Sequence, residues 1–490
     1  MGSITTDPPE PVTPSLFVGA GPDSDLASAK PERLKRGQLS LPGVVASTLA
    51  NIAPAMSFYF GFALIAYTAG VASPLTIIAA MIAVIFVGNT LAQFSRLTPS
   101  TGSWVSFIGK GLGPVAATMT AAVYVLGLMP GAASLMGIQG GWLSDIFQKY
   151  CHVDVPWQLL SVVLALIVYF LVARGVSLST KAAGALFAFE VAILTVVCVW
   201  ILIADRGHLL LTPFEPSHLA SGWKGLGLGF PLAIYMFIGW ENSAALAEET
   251  NQPRKNIPKA IFSSIGFMAL FYIFLSYATV VGSNYNANTL GNATVPFITV
   301  AQPILGGAII LAYLAGFTSI MSSVIAAVNA QSRVVFSAGR EGMLPSFLGR
   351  VSKKHRTPSV ALGAYLLVGT AIALWWGWSM NTVTFYDESA TLCVIPIILI
   401  YFVVNASLIA YTWKRPDRSV WKHTVLPVLG IAAIAFPFYE LVKPGQPTPY
   451  DLFPYVTLVF VAVALVHALL LRRRDPKLAE KVGSLVADEE

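Results

Sequence analysis

GWKGLGLGFPLAIYMFIGWENSAALAEET, residues 222–250, carries Gly225, Gly227, Gly229, Pro231 and Gly239, and then a glutamate, Glu241, inside an apolar stretch. Proline inside a helix removes a backbone hydrogen bond and clashes with the preceding turn. A second segment has the same character. Asn51-Ile52-Ala53-Pro54-Ala55-Met56 puts a proline near the middle of the apolar run that opens at residue 41. Both segments read as helices interrupted halfway along.

The surrounding composition identifies the solvent. Of the 490 residues 56% are hydrophobic and 11% are charged, against about 25% charged in soluble proteins. So few charges cannot coat a water-facing surface of this size. The mean hydropathy is +0.70, and the apolar residues come in long runs such as LLSVVLALIVYFLVA at 159–173. A helix that crosses a bilayer needs about 20 mostly apolar residues. The chain therefore reads as an all-α integral membrane protein. Twelve transmembrane spans are predicted, near 41–67, 73–95, 114–141, 157–173, 180–203, 224–250, 259–282, 300–332, 359–378, 384–412, 423–440 and 450–471.

Charge placement orients them. With the N-terminus on the cytoplasmic side, 26 of the 30 Lys and Arg residues fall in inside segments, and Lys149, Arg206, Lys224 and Lys443 alone fall outside. Cytoplasmic loops carry such an excess. It answers the anionic inner leaflet, and it accounts for the net charge of +6 without nucleic acid as a partner. Residues 1–39 and 473–490 read as cytoplasmic tails, the first disordered and without the apolar core of a signal peptide. The expected location is the plasma membrane.

The interrupted spans are the first and the sixth. They lie five helices apart, and five is odd, so a repeated five-helix unit would sit upside down in the bilayer. Breaks at matching places in inverted halves are the strongest sequence pointer to a transporter's binding site. A broken helix bares N–H groups on one half and C=O groups on the other. The first favour a carboxylate and the second a cation, which suits a zwitterion.

Two further blocks carry a family resemblance. Phe237-Ile238-Gly239-Trp240-Glu241, followed by Glu248-Glu249, Pro253, Ile257-Pro258 and Ala260-Ile261, resembles the sixth span and following loop of the amino acid–polyamine–organocation (APC) superfamily. Asn329, Ser332-Arg333, Phe336, Arg340-Glu341-Gly342, Leu344-Pro345 and Thr357-Pro358 resemble the end of its eighth span. The resemblance covers roughly residues 40–472. It implies the leucine-transporter fold, with inverted repeats at 40–203 and 224–413 joined by an outer loop at 204–223, and two further spans at 414–472. It also implies that Ile52, Ala53, Pro54, Ala55, Met56, Phe237, Ile238, Gly239 and Trp240 bind the substrate backbone. Tyr235 stands where some members place a covering aromatic, and Glu241 where a related antiporter has a proton-sensing acid. The sequence departs from the family in two places. A Gly-Ser-Gly-like run is replaced by Pro54-Ala55-Met56, which leaves room for an amine or polyamine. The position of a sodium-replacing lysine in some members is Glu190 here.

Glu190 lies about ten residues into span 5, roughly 15 Å deep at about 1.5 Å per residue. An acid at that depth is a functional candidate. The expectation is a coupling proton carried by Glu190, Glu241 or both, with a sodium site made by Glu190, span 1 carbonyls and Ser319, Ser322 or Ser323 as the alternative. Asp387 and Glu388 are expected on a solvated rim, and Asn292 opens a glycosylation sequon. Cys151, Cys198 and Cys393 form no CxxC pair, and the histidines form no HxxxH pair. No metal, cofactor, catalytic constellation or obligatory protein partner is expected. The predicted function is import of amino acids or related amines, with exchange or nutrient sensing on the same scaffold as alternatives.

Overall fold

A computed structural model describes residues 34–220 and 222–475, with the side chains of 224–228 left aside. The tails at 1–33 and 476–490 lie outside the described residues. Among those residues the architecture is helical throughout, and the one β-type pairing is an isolated bridge, Leu39 with Thr250. The helices are α1 (Leu41–Ile52), α2 (Pro54–Ala69), α3 (Ser73–Leu97), α4 (Ser103–Leu112), α5 (Pro114–Ile146), α6 (Trp157–Ala173), α7 (Val176–Ala204), α8 (Gly222–Tyr235) and α9 (Asn242–Ala245). After these come α10 (Pro253–Gly282), α11 (Ala287–Asn292), α12 (Pro296–Leu305), α13 (Ile310–Arg340), α14 (Ser359–Gly377), α15 (Thr382–Thr412), α16 (Leu426–Val442) and α17 (Phe453–Arg474).

Nine helical stretches among the described residues are long and apolar enough to cross a membrane, so the chain is a multi-pass membrane protein. The outer faces of these helices are apolar. Phe189, Val196, Trp200 and Ile203 on α7 stand exposed, as do Leu159, Val163, Leu166 and Phe170 on α6. In water such faces would aggregate; in a bilayer they meet acyl chains. Burial separates centre from periphery. The apolar window of α5 is 72% buried and that of α17 only 17%, so α17 is a lipid-facing outer helix while α5 runs through the middle. Central contacts pair α7 with α13, α5 with α15 and α3 with α10.

Several expectations change. Residues 34–39, read as part of a disordered tail, are fixed in place. The Leu39 N–H donates to Glu249 O and the Asn251 N–H to Leu39 O, each at 2.9 Å, and Leu34 and Leu39 are buried. The expected span at 300–332 is two elements. Gly306, at φ +52°, turns the chain between α12 and α13, and α13 runs on to Arg340. The helix α4 lies in what reads as a loop. Of the two expected rim acids, Asp387 is exposed but Glu388 is buried.

Candidate functional site

The first interruption occupies one residue. Ala53 takes the left-handed conformation, φ 54° and ψ 75°, between the end of α1 and Pro54, which opens α2. Proline suits the first helical position because it has no N–H to leave unpaired. The groups freed by the break are met largely from α13, where Ser319, Ser322 and Ser323 follow the i, i+3, i+4 spacing of one helix face. Ser323 Oγ donates to Asn51 O at 3.0 Å, Ser322 Oγ lies 3.4 Å from Ala50 O, and the Met56 N–H donates to Ser319 Oγ at 3.0 Å. Ser57 Oγ donates to Ile52 O at 2.6 Å. Glu190, fully buried on α7, faces the Ala55 N–H and the Ser319 hydroxyl without closing a hydrogen bond to either. The expected coupling residues Glu190, Ser319, Ser322 and Ser323 thus converge on the first break.

The second interruption is longer. From Met236 to Glu241 the chain runs through i→i+3 turns such as Phe237 N–H to Ile234 O and Ile238 N–H to Tyr235 O. Tyr272 OH donates to the freed Met236 carbonyl at 2.7 Å. Gly239 sits at φ +113°, and a Cβ built there would lie 3.0 Å from the carbonyl oxygen of Asn51. Only glycine permits both the dihedral and the approach. The two breaks therefore touch main chain to main chain. Asn51 Nδ2 donates to Gly239 O at 3.3 Å, and Asn242 Nδ2 donates to Ser47 O at 2.9 Å. Glu241 turns back to accept from the Gly239 N–H at 2.9 Å.

Between the breaks lies a cavity of about 90 Å³. Ile52 and Met56 line it from the first break, and Tyr235, Ile238, Gly239 and Glu241 from the second. Ala53, Pro54, Ala55, Phe237 and Trp240 do not line it. Phe237 is buried edge-on to Tyr272 with ring centres 5.4 Å apart, and Trp240 is buried edge-on to Trp104 at 5.8 Å. The predicted Ser323 adds to the wall from α13, and among the lining residues that sequence reasoning missed are Trp104 on α4, Tyr124 on α5, Gln331 on α13, and Tyr386 and Tyr401 on α15. The hydroxyls of Tyr235 and Tyr386 lie 3.4 Å apart. Tyrosines on uniformly apolar helices were the available signal.

Beyond the second break the chain is held by buried ion pairs. Arg333 grips Glu249 through two nitrogens and also donates to Asn329 O, with Arg333 and Glu249 about 1% and 2% exposed. Arg340 Nη2 meets Glu248 Oε1 at 2.5 Å. Asn329 in turn accepts from and donates to Ser179 on α7. Among the described residues no cluster of three His, Cys, Asp or Glu could hold a metal ion.

The family model for amino acid permeases matches residues 39–465. A branched-chain amino acid permease of Bacillus subtilis (strain 168), BcaP, is 24% identical over 436 residues, covering 84% of this chain and 88% of the relative. The methylthioribose transporter of the same organism is 24% identical over 428 residues, 82% and 88% of the two chains. The Asc-type amino acid transporter 1 of Mus musculus is 27% identical over 253 residues, 47% of this chain and 43% of that one.

Proposed function

Since the chain belongs to the amino acid permease family of the APC superfamily, we propose that it is a secondary active transporter importing amino acids or related amines across the plasma membrane by alternating access. The observation that carries this reading is the direct contact of the two broken helices, Asn51 against Gly239, beside a cavity bounded by both. The peptide dipoles of two helix breaks beside a small cavity suit the two ends of a zwitterion, and interrupted helices of this kind allow parts of the protein to shift around a fixed site.

Twelve crossings in the leucine-transporter arrangement fit the helices. Leu41–Leu97 is long enough for two crossings parted at Gly70, and α6 and the interrupted α8–α9 add two more to the nine long stretches. Two five-helix repeats also fit the contacts. The fifth span, α7, packs on the eighth, α13. Their partners under an inverted repeat, α15 and α5, pack on each other. The charge bias supports a cytoplasmic side for both termini.

The coupling ion in this reading is a proton held by Glu190, with Glu241 as a second carrier. Glu190 sits where the first break meets α13, beside the Ala55 N–H and the Ser319 hydroxyl, and among the described residues its oxygens close no hydrogen bond. A sodium ion bound by Glu190, Ser319, Ser323 and α1 carbonyls is the competing arrangement. The test is uptake by proteoliposomes of the purified protein against a panel of amino acids and amines, with imposed pH and sodium gradients. Wild type is expected to accumulate substrate when the outside is acidic. Glu190→Gln is expected to lose that pH dependence while keeping exchange. Binding without flux would instead mark a sensor, and flux only against a trans substrate would mark an exchanger. Uptake by Glu190→Gln with an unchanged pH profile would remove Glu190 from the mechanism.

A further inference from the structure

A second cavity, of about 500 Å³, lies at the end of the helix bundle that the charge bias assigns to the cytoplasm. Four separated stretches of chain form it: the segment before α1, the start of α7, the loop after the second break and the loop before α14. Its charge is one-sided. Lys35, Arg174, Lys181, Lys354 and Arg356 line it together with His355. None of these five cations makes an ion pair among the described residues. The one acid among the described lining residues, Glu249, is already held by Arg333.

The cavity is built rather than incidental. Thr357 Oγ1 donates to Ala173 O at 3.1 Å and fastens the loop before α14 to the end of α6. The first-turn residues Val176, Ser177 and Leu178 of the 29-residue α7 also line it. A helix leaves the amides of its first turn without internal acceptors, and they carry partial positive charge. Five cations without an ion pair among the described residues, and a helix N-terminus, around one hollow call for a group with several anionic oxygens, that is, a phosphate ester.

The apolar surroundings choose between a soluble anion and a lipid. Leu178 is 45% exposed, and it lies on the same face of α7 as Phe189, Val196, Trp200 and Ile203, all exposed. The cavity thus opens at the foot of an apolar stripe that runs along the membrane-spanning length of α7. A phosphate head in the cavity would leave an acyl chain lying on that stripe. Basic pockets at helix ends on the cytoplasmic side hold anionic lipid headgroups by this combination. We propose that this cavity is a binding site for the phosphate headgroup of an anionic phospholipid of the inner leaflet.

The test uses full-length protein in neutral detergent, titrated with short-chain phosphatidylglycerol and with phosphatidylcholine of the same chain length, and read by native mass spectrometry. Phosphatidylglycerol is expected to bind about tenfold more tightly or better. The triple variant Lys181→Gln, Lys354→Gln, Arg356→Gln is expected to lose that preference. The triple variant Arg472→Gln, Arg473→Gln, Arg474→Gln, on α17 and away from the cavity, is expected to keep it. Melting without lipid checks the fold, and Lys354→Gln alone, at an exposed loop position, is expected to lose part of the preference if the first triple variant does not fold. Equal binding of the two lipids, or an equal loss in the α17 variant, overturns the proposal. Full displacement of phosphatidylglycerol by inorganic phosphate at millimolar concentration also overturns it, because it would assign the cavity to a free anion.

Discussion

The two interrupted helices solve one problem in opposite ways. The first is broken within a single residue, Ala53, and the new helix starts at once on Pro54. The second unwinds from Met236 to Glu241 through successive turns. In the first, the chain's own covalent limits make the break, because proline has no N–H to continue the ladder. In the second, a missing side chain makes it, because Gly239 admits the main chain of Asn51 to contact distance. Their anchorage differs as well, although both lean on α13. Neutral hydroxyls from Ser319, Ser322 and Ser323 hold the first, and charged groups on Arg333 and Arg340 hold the chain beyond the second. The break made by backbone chemistry is expected to tolerate changes around it better than the break made by proximity.

Substitutions at α13 and at the two hinges put this contrast under strain. The largest effect is expected from Arg333→Ala. It leaves Glu249 buried without its partner, a situation that costs about 3–5 kcal/mol and lowers the melting temperature in detergent. Replacing both residues by leucine is expected to recover part of the loss; no recovery would mean that the pair's geometry, not its charge balance, matters. Gly239→Ala comes next. The dihedral alone costs about 1–3 kcal/mol, and the Cβ must also push Asn51 away, so substrate uptake is expected to fall further than thermal stability. Normal uptake by the Gly239→Ala protein would show that the contact between the breaks is dispensable. Ser319→Ala removes the acceptor of the Met56 N–H, worth about 1–3 kcal/mol when nothing replaces it. The smallest effect is expected from Ala53→Gly. It relieves about 1–2 kcal/mol of left-handed strain and returns about 0.4–1 kcal/mol through the freer unfolded chain, so the net change is slightly stabilising. A clear loss of stability there would contradict the proposed ease of the first hinge.

Much of this architecture is legible in the order of the residues. Long apolar runs set most of the spans to within a few residues, since the bilayer demands length and little else. Pro54 and the glycines of 225–239 mark both interruptions, because those residues limit the backbone directly. The serines of α13 are identifiable because three hydroxyls recur on one face of an otherwise apolar helix. Other parts leave no such mark. The segment 34–39 is tied down by main-chain pairing at Leu39, which no pattern of side chains announces. The helix α4, ten residues long, falls short of a span and hides Trp104. Tyr124, Tyr386 and Tyr401 sit on helices that are apolar all round, so nothing in the spacing tells which face looks inward. Trp104 and these three tyrosines give the missed part of the cavity wall its aromatic rings.

One consequence follows from how the amides at the start of α2 are disposed. Pro54 offers none, the Met56 N–H is given to Ser319, and the Ala55 N–H faces Glu190. In the proposed transport reading, a ligand carboxylate that reached this amide would contend with Glu190 for a single donor. On the proposal that Glu190 carries the coupling proton, occupancy by cargo and protonation of that residue would be two readings of one equilibrium.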